Sequence, residues 1–241
     1  MNTEKFSSKA SNYEKGRPSY PRVALEYLKT LIPDDAVIAD IGAGTGKFTK
    51  LIAELGYDVF AVEPNGDMFC QLQVTLAKFP NAKSILATSE NTTLADGSVN
   101  VITVAQALHW FDLEKFKREC HRILQPNGWV VALYNNVVAP KSNIVLHDGN
   151  KCEIKPLARK RVNAAKAFFR DPLTKEFRTA ISYTQEMWVA FMMSHSHSPV
   201  PSDDHYPEYT RQVHEIFAAG AVDGMLKCEV LTTVYAEEFR K

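Results

Sequence analysis

The apolar residues of this chain switch repeatedly between two spacings, and the switches define its elements. After Pro21, Ala24, Leu25, Leu28 and Leu31 recur on one helical face, and Pro33-Asp34-Asp35 ends the run. Ala36-Val37-Ile38-Ala39 is then continuous and apolar, as a strand buried on both faces requires. Phe48, Leu51, Ile52 and Leu55 return to the helical pattern, with Gly56 as the stop. Val59-Phe60-Ala61-Val62 predicts a second buried strand that ends at Glu63. Pro64-Asn65 opens a helix that turns Met68, Phe69, Leu72 and Leu76 inward and stops near Pro80. Residues 84–87 predict a third strand and residues 99–105 a fourth, central one. Leu113, Phe116, Cys120, Ile123 and Leu124 mark another amphipathic helix, Pro126-Asn127-Gly128 a turn, and residues 129–134 a fifth strand.

Strands alternating with helices of this length predict an α/β fold: a doubly wound, mostly parallel, Rossmann-like sheet with helices on both faces. Residues 1–135 read as a ligand-binding α/β core, whose N-terminal part is a cap by the resemblance described below. Residues 136–175 read as an α-helical cover insertion over a substrate site, with a helix near residues 157–169. Residues 176–241 read as completion of the same sheet within a single domain. They hold a strand at 177–183, a helix with Met187, Trp188, Phe191 and Met192, another with Tyr209, Val213, Ile216 and Phe217, and a β-rich stretch at 226–235.

Composition narrows the partners. In 241 residues, 28 Lys and Arg balance 28 Asp and Glu. A chain that lives on phosphate backbones carries a basic excess, so nucleic acid is not expected as a partner. Met1-Asn2-Thr3-Glu4-Lys5 lacks the apolar centre of a secretory signal, and no apolar run is long enough for a membrane span. Cys70, Cys120, Cys152 and Cys228 are scattered and read as reduced thiols. A cytoplasmic protein, monomeric or weakly dimeric, is the expectation. His195 and His197 alternate in a serine-rich loop without further ligands, so no metal site is expected. The basic run from Lys155 to Arg170 reads as one solvated helix face, with Leu157, Val162, Ala165 and Phe169 packed beneath it.

The candidate chemistry sits after the first strand, at Asp40-Ile41-Gly42-Ala43-Gly44-Thr45-Gly46. Glycines between a strand and a helix let a ligand approach the main chain closely. The G-x-G-x-G spacing differs from the G-x-G-x-x-G dinucleotide fingerprint, and a phosphate-binding P-loop fails because Ile41 and Phe48 stand at its first glycine and hydroxyl positions. Glu63, at the end of the neighbouring strand, places a carboxylate beside the turn, where it can accept both hydroxyls of a ribose. A nicotinamide-dependent oxidoreductase is the alternative enzyme on such a sheet, and a catalytically silent cofactor-binding protein the alternative outside catalysis.

Taken with Tyr13, Arg17-Pro18-Ser19-Tyr20-Pro21, Glu63-Pro64-Asn65, Met68, Gln106-Ala107-Leu108-His109-Trp110-Phe111-Asp112 and Arg122-Ile123-Leu124-Gln125-Pro126-Asn127-Gly128, this turn resembles the class I S-adenosylmethionine-dependent methyltransferases. Within them it is most similar to the group around the ubiquinone/menaquinone-biosynthesis and trans-aconitate methyltransferases, over residues 6–135. The resemblance implies a seven-stranded sheet with its last strands antiparallel, and S-adenosylmethionine as cofactor with S-adenosylhomocysteine as product. It implies that Asp40, Gly42, Ala43, Gly44 and Gly46 lie along the methionine part and that Glu63 binds the ribose. Pro64, Asn65 and Met68 would border the adenine, and Gln106 would sit on the sulfonium side. Thr88 stands where relatives carry an adenine-reading aspartate, which would shift that contact to the backbone of Ser89 and Glu90. Arg17 of the cap would meet the cofactor carboxylate or a substrate acid.

Methyl transfer from a sulfonium is an in-line displacement in which the protein supplies position and electrostatics. His109, just past the fourth strand, is the candidate base or else a wall of the pocket, beside Trp110; Tyr13 is a second catalytic candidate and Tyr20 a pocket residue. The expected acceptor is a small molecule. A carboxylate or other anionic metabolite would need no base, only positive groups to hold it.

Overall fold

The structure, a computed structural model, describes residues 9–138 and 154–239, and of residues 154–159 the backbone alone. It is a seven-stranded sheet in the order β3-β2-β1-β4-β5-β7-β6. The strands are β1 (Val37–Ile41), β2 (Asp58–Val62), β3 (Ala82–Ile85), β4 (Val99–Ala105), β5 (Leu124–Val138), β6 (Leu173–Tyr183) and β7 (Leu226–Phe239). The first five pair in parallel, while β7 pairs antiparallel with both β5 and β6. β6 therefore runs in the direction of β5, and of the last strands β7 alone is reversed.

Helices cover both faces because successive side chains of each central strand point to opposite sides. Ile38, Val59, Val101 and Val131 face α2 (Arg22–Leu31) and α3 (Thr49–Glu54), where Leu25, Leu28 and Ile52 meet them. Ile41, Ile102, Val104 and Val130 face the other way. There Phe116 and Ile123 of α5 (Leu113–Ile123) and Phe168 of α6 (Ile154–Phe168) complete the core. Each such fully buried side chain contributes about 1.5–3 kcal/mol of transfer free energy. α4 (Gly66–Leu76) packs Leu72 and Leu76 on Ala61. A third cluster joins Trp188 of α7 (Gln185–Met193), Val213 of α8 (Tyr206–Gly220), and Tyr183 and Leu226 of the outer strands.

Several boundaries differ from the hydrophobic pattern. Pro126-Asn127-Gly128 is not a turn between helix and strand but a bulge within β5. The ladder pairs Val99 with Leu124 and resumes at Val101 with Trp129, while Asn127 takes a φ of 59°. The third strand lies at Ala82–Ile85, and Leu86 is exposed. β5 runs on to Val138 and β6 begins at Leu173, both inside the span read as cover, because each has a full-length partner in β7. α1 (Ala10–Gly16) was invisible to apolar periodicity, since its sequence has almost no apolar stripe. It is held by a close crossing instead: a Cβ on Gly16 would lie 2.0 Å from the Phe191 nitrogen of α7. Among the described residues, no helix is long and apolar enough to cross a membrane.

Candidate active site

The carboxyl ends of the central strands meet at the switch point of the sheet, the candidate cleft. β1 and β4 share Cα partners and leave it in opposite lateral directions, towards β2 and β5, which makes the crevice where such sheets bind ligands. The glycine turn is fastened to β2 by its own backbone, with Gly42 N and Ala43 N donating to Val62 O at 2.8 and 3.0 Å. Gly42 has a φ of +72°, and a Cβ there would stand 2.6 Å from Ala107 Cβ. A side chain would push the turn off the segment that follows β4. Gly44, also left-handed at +60°, meets nothing within 4 Å on its Cβ side, which is the open side of the turn.

Glu63 is nearly buried and binds the turn before any ligand does. Its Oε2 accepts from Gly44 N and its Oε1 from Asn65 N, each at 2.8 Å. Burial raises its pKa, the two backbone donors lower it, and Asp40 raises it again. Each oxygen keeps a further lone pair. Asp40 is fully buried and its carboxylate is occupied from inside, by Thr49 Oγ1 at 2.6 Å and Thr103 Oγ1 at 2.9 Å. It ties β1 to α3 and β4 and lies beneath the turn, rather than along a ligand. Desolvation lifts its pKa to about 6 despite both hydroxyls.

Asn65 caps α4, its Oδ1 accepting from Met68 N at 3.0 Å, and Met68 is buried beneath, so the Pro64-Asn65-Met68 segment walls one side of the cleft. Beyond β3, Thr88 is exposed and bridges to Asn91. Ser89 is 1% exposed and its Oγ has no hydrogen-bond partner, whereas the Glu90 carboxylate accepts from Asp112 N at 3.1 Å. A free buried hydroxyl is thus present at Ser89, and the Glu90 side chain is turned to α5.

The opposite wall holds the remaining candidates. Gln106 has a φ of 65°, an unfavourable conformation for a non-glycine residue that marks a constrained site. Its Nε2 donates to Asn135 O at 2.7 Å, and its Oε1 is buried without a partner. His109 and Trp110 form a short 3-10 turn, with ring centroids 4.9 Å apart, and His109 lies 6.0 Å from the Tyr134 ring. The His109 Nδ1 is buried without a partner. Burial first, then Arg161, Lys160 and Arg17, push its pKa down to about 3. A group that weakly basic stays neutral at neutral pH and is a poor general base. The cap supplies Tyr13, Arg17 and Tyr20. Arg17 donates from Nε to Ser194 Oγ at 2.8 Å and lies 5.4 Å from the Tyr13 and Phe191 rings. Tyr20 packs edge-on against Phe48, and burial raises the pKa of both tyrosines.

Sequence reasoning missed four contributors. Glu14 of α1 accepts from Thr45 Oγ1 at 2.9 Å and so docks the cap on the glycine turn. Asn135, at the end of the central strands, accepts from Thr232 Oγ1 at 2.6 Å and donates to Ser19 O at 3.1 Å, besides receiving Gln106. Tyr134 stands beside His109. Arg161 does not belong to a solvated face: it is partly buried, lies 5.8 Å from the Tyr134 ring and donates to Asn136 Oδ1 at 2.7 Å. Of the rest of that basic run, Lys160, Lys166 and Arg170 are exposed. Lys160 lies over the Trp110 ring at 4.3 Å. Ala165 and Phe169 pack inward, but Val162 is exposed, and Lys155, Leu157 and Arg159 lie outside the described side chains. His195 and His197 sit 5.3 Å apart, ring to ring, and His195 Nδ1 approaches Met192 O at 3.1 Å. Among the described residues no cluster of three or more His, Cys, Asp or Glu could hold a metal.

Residues 39–132 match the family described as methyltransferase domain. An uncharacterized methyltransferase of Mycobacterium tuberculosis is 41% identical over 131 residues, which are 54% of this chain and 51% of that one. The chain thus spans about half the length of the curated relatives it matches. Among solved structures, a putative type II methyltransferase from Anaeromyxobacter dehalogenans superposes with a TM-score of 0.67 at 22% identity, covering 92% of this chain and 97% of that one. A methyltransferase from Geobacter sulfurreducens, solved with S-adenosyl-L-homocysteine, has a TM-score of 0.55 at 11% identity, covering 97% of this chain and 96% of that one. At such identities these two likenesses speak for the fold.

Proposed function

We propose that this protein, whose residues 39–132 match a methyltransferase domain, transfers a methyl group from S-adenosylmethionine to a small-molecule acceptor bearing a carboxylate or another anionic group. The observation that carries the cofactor is the Glu63–Gly44 pair, 2.8 Å apart at the mouth of the central crevice, with open space on the Gly44 side. Both features suit a ribose and a methionine chain lying across the turn. The buried, unpartnered Ser89 hydroxyl suits the polar edge of an adenine. Bound there, the cofactor supplies an electrophilic methyl on a sulfonium.

The chain's own residues do the rest. Glu63 accepts the ribose hydroxyls with its remaining lone pairs, and Gly42 to Gly46 present backbone to the methionine segment. Gln106, held by Asn135, borders the sulfonium side. Tyr13 and Tyr20 close the cap over the turn and exclude water from the line of transfer. His109 stays neutral and orients rather than deprotonates. That favours an acceptor which is already an anionic nucleophile, and Arg17 supplies positive charge on the same wall. Calorimetry with S-adenosylhomocysteine tests the reading: micromolar or tighter binding is expected, and no binding by the folded protein would overturn it.

A further inference from the structure

We infer that Arg161 is the specificity-determining anchor of the acceptor: its guanidinium reaches from α6 over the end of β5 and grips the acceptor's anionic group. The inference rests on the methyl-transfer reading above. It starts from an imbalance of charge. Arg161 is partly buried, and its Nε is buried without any hydrogen-bond partner. Its Nη1 reaches only neutral oxygens, Asn136 Oδ1 at 2.7 Å and Asn135 O at 3.4 Å. Among the described residues no carboxylate pairs with it, nor with Arg17. Burial lowers its pKa to about 10, and repulsion from Arg17 adds to the effect. Buried charges are ordinarily paired, because leaving one unpaired is strongly destabilising. Among the described residues Nη2 has no bond either, and an unpaired Nε beside it has the geometry that receives a carboxylate in two parallel bonds.

The surroundings hold this fork in place. The Tyr134 ring lies 5.8 Å from Arg161, and His109 flanks Tyr134. Asn135 connects it to Gln106, to Ser19 of the cap and to Thr232 of β7. The guanidinium therefore stands beside the candidate methyl-transfer position and is aligned by the same asparagine as Gln106. Arg161 also lies outside residues 39–132, the part matched to the general methyltransferase domain, where a residue selecting this chain's own acceptor is expected.

The test uses the full chain loaded with S-adenosylhomocysteine. Malonate, succinate, glutarate and benzoate, each beside its uncharged amide, are titrated into the wild type, Arg161→Gln and Arg161→Lys. At least one acid is expected to bind the wild type while its amide does not. Arg161→Gln should weaken that binding tenfold or more, Arg161→Lys by less, and affinity for S-adenosylhomocysteine should stay within twofold in both. Equal affinity of the acid for wild type and Arg161→Gln would overturn the inference, as would a wild type that binds none of the acids. If Arg161→Gln does not fold, Arg161→Lys, which keeps the charge but loses the fork, decides alone: unchanged affinity and unchanged preference for acid over amide would overturn it. Failure of S-adenosylhomocysteine to bind would instead sink the methyl-transfer reading itself.

Discussion

The two walls of the cleft are built on opposite principles. On the β1–β2 side nearly every polar group is already satisfied: Glu63 by two backbone donors, Asp40 by two threonine hydroxyls, Asn65 by the helix it caps. On the β4–β5 side, polar atoms of Gln106, His109 and Arg161 are buried without partners. The first wall is rigid before a ligand arrives, and its ligand adds bonds to spare lone pairs. Among the described residues the second wall carries unmet hydrogen-bond capacity and positive charge without a carboxylate partner, which a ligand with complementary groups would relieve. A site that must hold a constant cofactor and a chain-specific acceptor has reason to be divided in this way.

The most disruptive test of this division is Glu63→Ala. Losing two charge-assisted bonds of about 1.5–3 kcal/mol each should weaken S-adenosylhomocysteine binding by roughly 100-fold or more. Calorimetry on the folded variant, beside Glu63→Gln, which keeps acceptor capacity for the turn, checks it, and an unchanged affinity would remove the main argument for the cofactor. Gly16→Val strikes the other wall. It forces α1 off α7, and with α1 go Tyr13 and Arg17. Turnover should fall about tenfold or more, as misplacement of positioning groups does, with a smaller loss of cofactor affinity. Equal losses in both would mean that the cap serves the cofactor.

His109→Ala sharpens the contrast at one residue. A neutral, orienting ring predicts a drop in turnover of about tenfold or less, below the roughly 100-fold or more that a proton-transferring group supplies. The pH–rate profile should then show no ionisation near 6–7 assignable to this histidine. A limb in that range that disappears in the variant would restore His109 as the base. The smallest expected effect is on stability. Asp40 has a folded pKa of about 6, above its unfolded value, so it binds more protons folded than unfolded. Its contribution is fully present below the unfolded pKa and is lost as pH rises through about 6. The stability of the wild type relative to Asp40→Asn should therefore decline between about pH 4 and 6. Denaturant titrations across that range measure it, and a flat difference would show that the carboxylate is better solvated than its burial indicates.

The satisfied wall was legible in the sequence; of the unsatisfied one, Gln106 and His109 were legible and Arg161 was not. The glycine turn, Glu63, Asn65 and Met68 lie within one βαβ unit, where spacing fixes position: a carboxylate at the end of β2 must fall beside the turn after β1. Asp40 was legible in place but not in role. Whether its side chain looks outward or down to Thr49 and Thr103 depends on β4, far along the chain. The cap was legible only through resemblance, because a helix held by Gly16 against a backbone and by Glu14 on Thr45 leaves no hydrophobic period. Arg161 was misread as solvated. On a helix rich in Lys and Arg, the sequence does not tell which basic residue tucks over a strand end.

By itself, then, the sequence determined the alternation of strands and helices, the parallel core, the glycine turn and its acidic partner, because local spacing and short connections decide these. Tertiary structure alone decided that β7 is reversed between β5 and β6, that Asn135 gathers β4, β7 and the cap, and that Arg161 faces Tyr134. Those facts depend on contacts between residues distant along the chain, as between Asn135 and Thr232 or between Arg17 and Ser194. Periodicity records which face of an element is buried, and it carries no information about which distant element does the burying.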